Sequence, residues 1–382
     1  VPSTPHRLSL RDRTVDDLFV LLRRRPGMTR SDLAVHSGMS RSSVIYSVGR
    51  LIREGRVEER EATGSTGSGR PAAQLFPVAA GLPVAGIDFG HQHIGVAVAD
   101  ALGQELASEV VAIDVDLDAR LAMTRAEDML TTMLQVHGIE SLARVVAGVP
   151  GPVDSSTGLV RSPTILSGWV GLNPAESLAE RLGVPVVVEN DAVLGACGEH
   201  RRGAGQGHDH ILYVKASGGI GAALVLDGVS YKGAKGLAGE IGHTRLENSV
   251  ELCRCGNRGC LEAVVSLGTV RQQLELAHPG HDFTSLDDLQ LDDPVTERIF
   301  NEAGRTMGRV FSDLCNLINP DVLILGGSLG CAHPALVEGV RSSIDRFAQP
   351  ATAENVQVVA AALGDRAELA GAIVMASAAA WS

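Results

Sequence analysis

The amino-acid sequence predicts an α/β body headed by a small, basic, mostly helical domain, and three observations carry that prediction. Residues 1–78 hold 13 Arg against 8 Asp and Glu, whereas the remainder holds 20 basic and 37 acidic residues in a chain of formal charge −12. After Pro77 the hydrophobic pattern changes from helical spacing to short apolar runs that end in Gly, Asp or Asn. Such runs, Val84–Gly90, Arg144–Pro150, Val184–Glu189, Ile211–Lys215 and Leu323–Ser328, read as buried strands, with a helix over Leu117–Val136.

At 382 residues the chain has room for two or three domains. Hydrophobic residues make up 45% and charged residues 20%, the profile of a folded globular protein. No apolar run approaches the roughly 20 residues that span a bilayer, and the Arg-rich start lacks an apolar signal core. The expected location is therefore cytoplasmic, with no membrane partner. A basic head on an acidic body suggests that the head alone meets a polyanion such as DNA. Only three lysines occur, Lys215, Lys232 and Lys235, so arginine abundance by itself decides little.

In the head, Thr14–Asp17 opens a helical pattern carrying Val15, Leu18, Phe19, Leu21 and Leu22, which ends at Arg25-Pro26-Gly27. Thr29-Arg30-Ser31-Asp32 resembles a capping box and starts a short second helix through Leu33. Ser37-Gly38-Met39 makes a tight turn, and Ser40 caps a third helix. There Val44, Ile45, Val48, Leu51 and Ile52 recur at helical spacing on the core side. Arg41, Ser42, Ser43, Tyr46, Ser47 and Arg50 fall on the opposite face. Val57–Glu59 and Gln74–Phe76 form two short strands around the loop Gly64–Pro71, tipped by Arg70. This is the layout of a winged helix-turn-helix over residues 1–78, although a three-helix interaction module shares the core pattern. In the DNA reading, Arg41, Ser42, Ser43, Tyr46 and Arg50 face the major groove and Arg70 a neighbouring minor groove.

In the body, Val84–Gly90 ends in Asp88 and Gly90 and returns through Ile94–Asp100, a hairpin tip suited to a metal-phosphate group. Val184–Glu189 delivers Asn190 and Asp191, which either orient and deprotonate a hydroxyl or cap the next helix. The glycines of Ala216–Ala222 and Leu323–Ser328 offer amides to a phosphate or let strands turn.

The most specific local signal is Gly239-Glu240-Ile241-Gly242-His243 followed by Cys253-x-Cys255 and Cys260-Leu261-Glu262. Three thiolates and one imidazole make a closed tetrahedral zinc site, so Zn2+ there shapes the fold and activates no water. Gly256 and Gly259 permit the tight loop. The other three cysteines, Cys197, Cys315 and Cys331, are expected to be small core residues.

Pro150–Asp154, Glu189–Asp191, Gly239–His243 and Cys253–Glu262 stand in the order and spacing of the ROK family of repressors, open reading frames and kinases, which residues 84–382 resemble. The resemblance implies an actin-like sugar-kinase fold of two α/β lobes, 84–190 plus 365–382 and 191–364. It also implies that the last helix, from about Arg366, packs on the first lobe. Gly151, Asn190, Asp191, Glu240, His243 and Glu262 match the family's sugar-contacting positions. His243 would use one nitrogen for zinc and the other for the sugar.

The chain departs from the family's kinases at the phosphate loops. Asp88-Phe89-Gly90-His91-Gln92-His93 stands where Asp-x-Gly-Gly-Thr-Lys is usual, and Ser217-Gly218-Gly219-Ile220-Gly221 where Gly-Thr-Gly-x-Gly is. The expected protein is a sugar-responsive regulator rather than an enzyme, a repressor acting as a homodimer or tetramer on operator DNA. The alternative is a sugar kinase with a DNA-binding head, in which Asp191 would be the base.

Overall fold

The structure, a computed structural model, describes residues 10–60, 73–78, 81–154, 157–161, 166–283, 286 and 293–379. The loop 64–71, with Arg70 at its tip, lies outside the described residues. The chain forms two compact units, Val1–Leu82 with Asp100–Gln104, and Pro83–Ala99 with Glu105–Ser382.

The first unit contains α1 (Leu10–Arg24), β1 (Met28–Thr29), α2 (Arg30–Ser37), α3 (Arg41–Arg53), β2 (Val57–Arg60) and β3 (Gln74–Pro77). The capping box is present: the Thr29 side chain accepts from the Asp32 amide, and Asp32 Oδ2 accepts from the Thr29 amide at 2.9 Å. Gly38 closes α2 at φ +67°, a left-handed conformation favouring glycine, and Ser40 caps α3. Sequence reading missed β1, which adds a third strand in the order β1-β3-β2. It also placed two residues of α3, Ile45 and Ser47, on the wrong face. Val44, Ser47, Val48 and Leu51 are buried, while Ile45 is 58% exposed. The buried set follows the i, i+3, i+4, i+7 stripe, and a serine fits where helices pack closely.

The second unit repeats one topology twice. Its first sheet holds β4 (Val84–Phe89), β5 (His93–Ala99), β6 (Glu105–Ala112), β7 (Arg144–Val149) and β8 (Val186–Asn190), in the order β6-β5-β4-β7-β8. Its second holds β9 (Ile211–Ala216), β10 (Ile220–Leu226), β11 (Val229–Tyr231), β12 (Val322–Gly326) and β13 (Gln357–Ala360), in the order β11-β10-β9-β12-β13. In each sheet an antiparallel three-strand meander is followed by two parallel strands.

The helices of this unit are α4 (Ala119–Val136), α5 (Pro174–Leu182), α6 (Asp191–Arg202), α7 (Leu261–Val264), α8 (Leu267–Ala277) and α9 (Pro294–Ile318). They continue with α10 (Gly327–Gly330), α11 (Pro334–Phe347), α12 (Pro350–Asn355) and α13 (Ala367–Ala379). α4 and α5 cover one face of the first sheet, and α8, α9 and α11 cover one face of the second. Between the sheets, α13 packs on β4, β5 and β7, and α6 on β9, β10 and β12. A Cβ on Gly371 would lie 1.8 Å from the Leu194 carbonyl oxygen, and one on Gly198 2.2 Å from that of Ala367. Glycine at both places lets α6 and α13 touch along their backbones. Among the described residues no helix is long and apolar enough to cross a membrane.

Cys315 is buried as expected, but Cys197 is half-buried and Cys331 is exposed. Cys331 follows the single-turn helix α10, so its strand-end apolar context did not place it inside.

Candidate functional site: a cleft with a metal-binding wall

His243, Cys253, Cys255 and Cys260 come together, with their ligand atoms all within 4.8 Å of one another. His243 Nδ1 lies 3.7 Å from Cys253 Sγ, and Cys255 Sγ lies 3.7 Å from Cys260 Sγ. A tetrahedron with Zn–S bonds of about 2.3 Å has edges of about 3.7 Å, so these spacings suit a zinc-sized ion. The loop is tied by Cys253 N–H to Asn257 O at 2.8 Å and Gly256 N–H to Cys253 O at 2.9 Å, and Gly256 and Gly259 both have positive φ. His243 Nε2 points away from the thiols, 3.8 Å from Glu240 Oε2.

All six positions assigned to sugar contact line one cleft: Gly151, Asn190, Asp191, Glu240, His243 and Glu262. Asn190 caps α6, one of the two roles that the sequence left open. Its Oδ1 caps α6 by accepting from the Val193 amide at 3.3 Å, and its Nδ2 donates to the Gly151 carbonyl at 3.1 Å. Glu262 Oε2 accepts from the Ile220 amide at 3.0 Å, which fastens the metal loop to the β9–β10 hairpin. Burial raises the pKa of Glu240.

Asp191 is not a free carboxylate. Its Oδ1 accepts from the Ala192 amide at 2.8 Å, and its Oδ2 accepts from Lys215 Nζ at 2.9 Å. Lys215 also lies 3.4 Å from Glu368 at the start of α13, and Tyr213 Oη donates to the same Glu368 oxygen at 3.3 Å. Burial works to lower the Lys215 pKa, but Asp191, Glu368 and Asp88 outweigh it and raise it, so the ammonium stays charged. Glu368 is pushed up to about 7 by burial, with Lys215 opposing.

The β4–β5 tip is filled by the chain itself. His93 Nε2 bonds Asp88 Oδ2 at 2.9 Å, and a Cβ on Gly90 would lie 2.1 Å from the His93 ring. Burial opposes ionisation of both partners. The hydrogen bond between them and the neighbouring Lys215 charge hold Asp88 low, and Asp88 holds His93 high.

Sequence reasoning did not assign Lys215, Arg254 or Glu368 to the cleft or its border. Arg254 had a usable signal, because it lies between two ligand cysteines that fix its direction. In the first unit, Arg41, Ser42, Ser43 and Tyr46 are exposed along one side of α3. Arg50 is half-buried and pairs with Glu54 at 2.7 Å.

Twin α/β sheets flanking a cleft with a His/Cys3 wall, preceded by a winged helix-turn-helix, make an actin-like fold of the ROK type. Residues 84–379 match the ROK family and residues 18–58 a winged helix-turn-helix DNA-binding domain, and the chain belongs to the ROK family. It is 28% identical over 352 residues to the xylose repressor of Bacillus subtilis, covering 90% of this chain and 89% of that one. A ROK family transcriptional regulator, homologous to the E. coli MLC protein, superposes with a TM-score of 0.76 over 96% of both chains at 23% identity, a likeness of fold. A ROK family glucokinase from Streptomyces griseus, solved with glucose and AMPPNP, matches with a TM-score of 0.66 and 28% identity. That match covers 77% of this chain and 99% of the glucokinase.

Proposed function

We propose that this protein is a sugar-responsive, DNA-binding transcriptional repressor that uses a ROK-type cleft for its effector and catalyses no phosphoryl transfer. The observation that carries the reading is the pairing of a winged helix-turn-helix with a phosphate loop filled by its own His93. Asp191, the candidate base, already accepts one hydrogen bond on each oxygen, from Lys215 and from the Ala192 amide, and keeps further lone pairs for a sugar hydroxyl. The similarity to the Bacillus subtilis xylose repressor along the length of both chains supports the same reading.

In this proposal Zn2+ is held by His243, Cys253, Cys255 and Cys260 and keeps the wall of the cleft in shape. Gly151, Asn190, Asp191, Glu240, His243 and Glu262 meet the sugar hydroxyls, each of which both donates and accepts. Arg41, Ser42, Ser43, Tyr46, Arg50 and Arg70 meet operator DNA. Residues 1–78 are the head, 84–190 with 365–382 the first lobe and 191–364 the second. A cytoplasmic homodimer presents two heads to two half-sites. Sugar acts by binding one DNA-competence state better than the other.

Selection of duplexes from a randomised pool, followed by anisotropy titration in the presence of a sugar panel, tests the proposal. Binding to a selected duplex that shifts with one sugar is expected, and binding that no sugar alters would sink the ligand-response part. The kinase reading keeps one observation, Asp191 at the cleft-facing start of α6. ADP release with Mg-ATP and sugar, abolished by Asp191→Asn, would establish it instead.

A further inference from the structure

Helix α3 has two opposite stripes, and packing within the first unit accounts for only one of them. Val44, Ser47, Val48 and Leu51, at i, i+3, i+4 and i+7, are buried. Ser42, Ile45, Tyr46 and Gly49 repeat the same spacing on the side turned away from that core. Ser42 is exposed, and Ile45 and Tyr46 are 58% and 56% exposed. Arg41 stands at the start of this second stripe. At its end, one turn beyond Gly49, Arg53 donates from Nε to the Gly49 carbonyl at 3.2 Å. A single exposed apolar side chain is ordinary on a protein surface and points to no partner by itself.

Gly49 is the independent observation. It lies in the interior of a 13-residue helix, where glycine is less favourable than any residue but proline. Its φ is not positive, and among the described residues a Cβ there would meet nothing within 4 Å. Neither backbone conformation nor packing inside the protein therefore calls for glycine. A bare backbone facing open space instead lets an outside surface come close to the helix, one turn from Ile45.

The third helix of a winged helix-turn-helix lies in the major groove with its first turns on base edges. The arginine excess of residues 1–78 suits that partner. Among the groups that bases present in the major groove, the C5 methyl of thymine is the apolar one. A β-branched hydrocarbon side chain can bury that methyl, and it can neither donate to nor accept from the polar edges of the other bases.

We propose that Ile45 reads a thymine through its C5 methyl, and that Gly49 lets α3 sit deep enough in the major groove to make the contact. This rests on the DNA-binding reading above and adds two residues that set base preference, with the chemical group they select.

Anisotropy titration of the full chain on a duplex selected from a randomised pool tests this. Each thymine of the selected site is replaced in turn by deoxyuridine, which lacks only the methyl. One replacement is expected to weaken wild-type binding about fourfold, as burial of a single methyl group allows. Ile45→Ala, a change at an exposed position, should bind that thymine duplex and its deoxyuridine counterpart equally. Gly49→Ala should be at least as stable as wild type in thermal melts, because alanine is the better helix former, yet bind the selected duplex about tenfold more weakly. A packing role for Gly49 would give the reverse pattern, lower stability with unchanged affinity. Deoxyuridine duplexes that all bind like the parent, a thymine preference that survives in Ile45→Ala, or full affinity in Gly49→Ala would each overturn the proposal and leave DNA binding standing. A smaller assembly in light scattering of Ile45→Ala, with unchanged DNA affinity, would overturn it by giving the face to a second copy of the chain. Failure to select any duplex would remove the DNA-binding reading, and this proposal with it.

Discussion

The hairpins β4–β5 and β9–β10 occupy equivalent places in two sheets of identical strand order, yet their tips are built in opposite ways. At the first, the Gly90 amide donates to the His93 carbonyl at 3.0 Å, and the His93 ring lies over Gly90 while bonding Asp88. At the second, the Ser217 amide donates to the Gly219 carbonyl at 2.9 Å, Gly219 lines the cleft against the Glu262 carboxylate, and Gly218 has open space beside it. Both tips contain the glycine that a close phosphate requires. Only the groups facing each glycine reveal its use: Gly90 makes room for the protein's own imidazole and Gly219 for the Glu262 carboxylate, whereas a side chain on Gly218 would meet only His91 Cδ2 at 4.0 Å.

The largest expected effect concerns what holds the open tip in place. The metal loop bonds β10 through Glu262 to the Ile220 amide and through the Gly239 carbonyl to the Ala222 amide at 2.9 Å. Structural zinc contributes on the order of 10 kcal/mol to folding of its loop. Chelation, or Cys255→Ser, should therefore abolish sugar binding, while leaving the first tip and the winged helix-turn-helix folded. Metal analysis is expected to find one zinc per chain, and full sugar affinity in zinc-free protein would refute the dependence.

Next in size is Lys215→Met, which strands Asp191 and Glu368 without their cation. Removing one partner of a buried ion pair costs about 3–5 kcal/mol. Urea denaturation should show a loss of that order, with part of it restored by adding Glu368→Gln. Retention of wild-type stability in the single variant would mean that the lysine does not sustain the cluster.

How much of this was legible in the sequence follows the range of each interaction. The four metal ligands fall within eighteen consecutive residues, and the capping box within four, so spacing alone named both. The Asp116–His91 and Lys215–Glu368 contacts join residues far apart in the chain, and nothing local at either end announces the other. Strand β6 was not singled out, because Glu105 and Glu109 interrupt the apolar pattern on an edge exposed to water. On α3, Ile45 and Ser47 each contradict the reading of their residue type, since the stripe that faces α1 and α2 is set by geometry. Motifs named the cleft. Only the fold could reveal that Asp191, one of its motif residues, is already paired.

Titration of the charge cluster gives the third effect. Glu368 has its pKa raised from 4.5 to about 7, so the unfolded chain ionises there first and stability falls as pH rises through that range. His93, also raised, contributes stability that is complete below about 6.5 and fades as pH climbs past its folded value. Asp88, held low, works in the opposite sense, but only in acid below its usual range. Stability should therefore decline from pH 5 to pH 8 by on the order of 1–3 kcal/mol. Glu368→Gln should flatten most of that slope in urea titrations across the range, and an unchanged slope would assign it to other groups.

The smallest effects on stability set the two tips directly against each other. At the closed tip, Gly90→Ala drives a methyl into the His93 ring and should cost about 1–3 kcal/mol, with His93→Ala relieving it. At the open tip, Gly218→Ala places its methyl in space bordered only by His91 Cδ2 at 4.0 Å, so its stability should stay within about 0.5 kcal/mol of wild type. Equal destabilisation at both tips would show that Gly218, like Gly90, is held free of a side chain by packing.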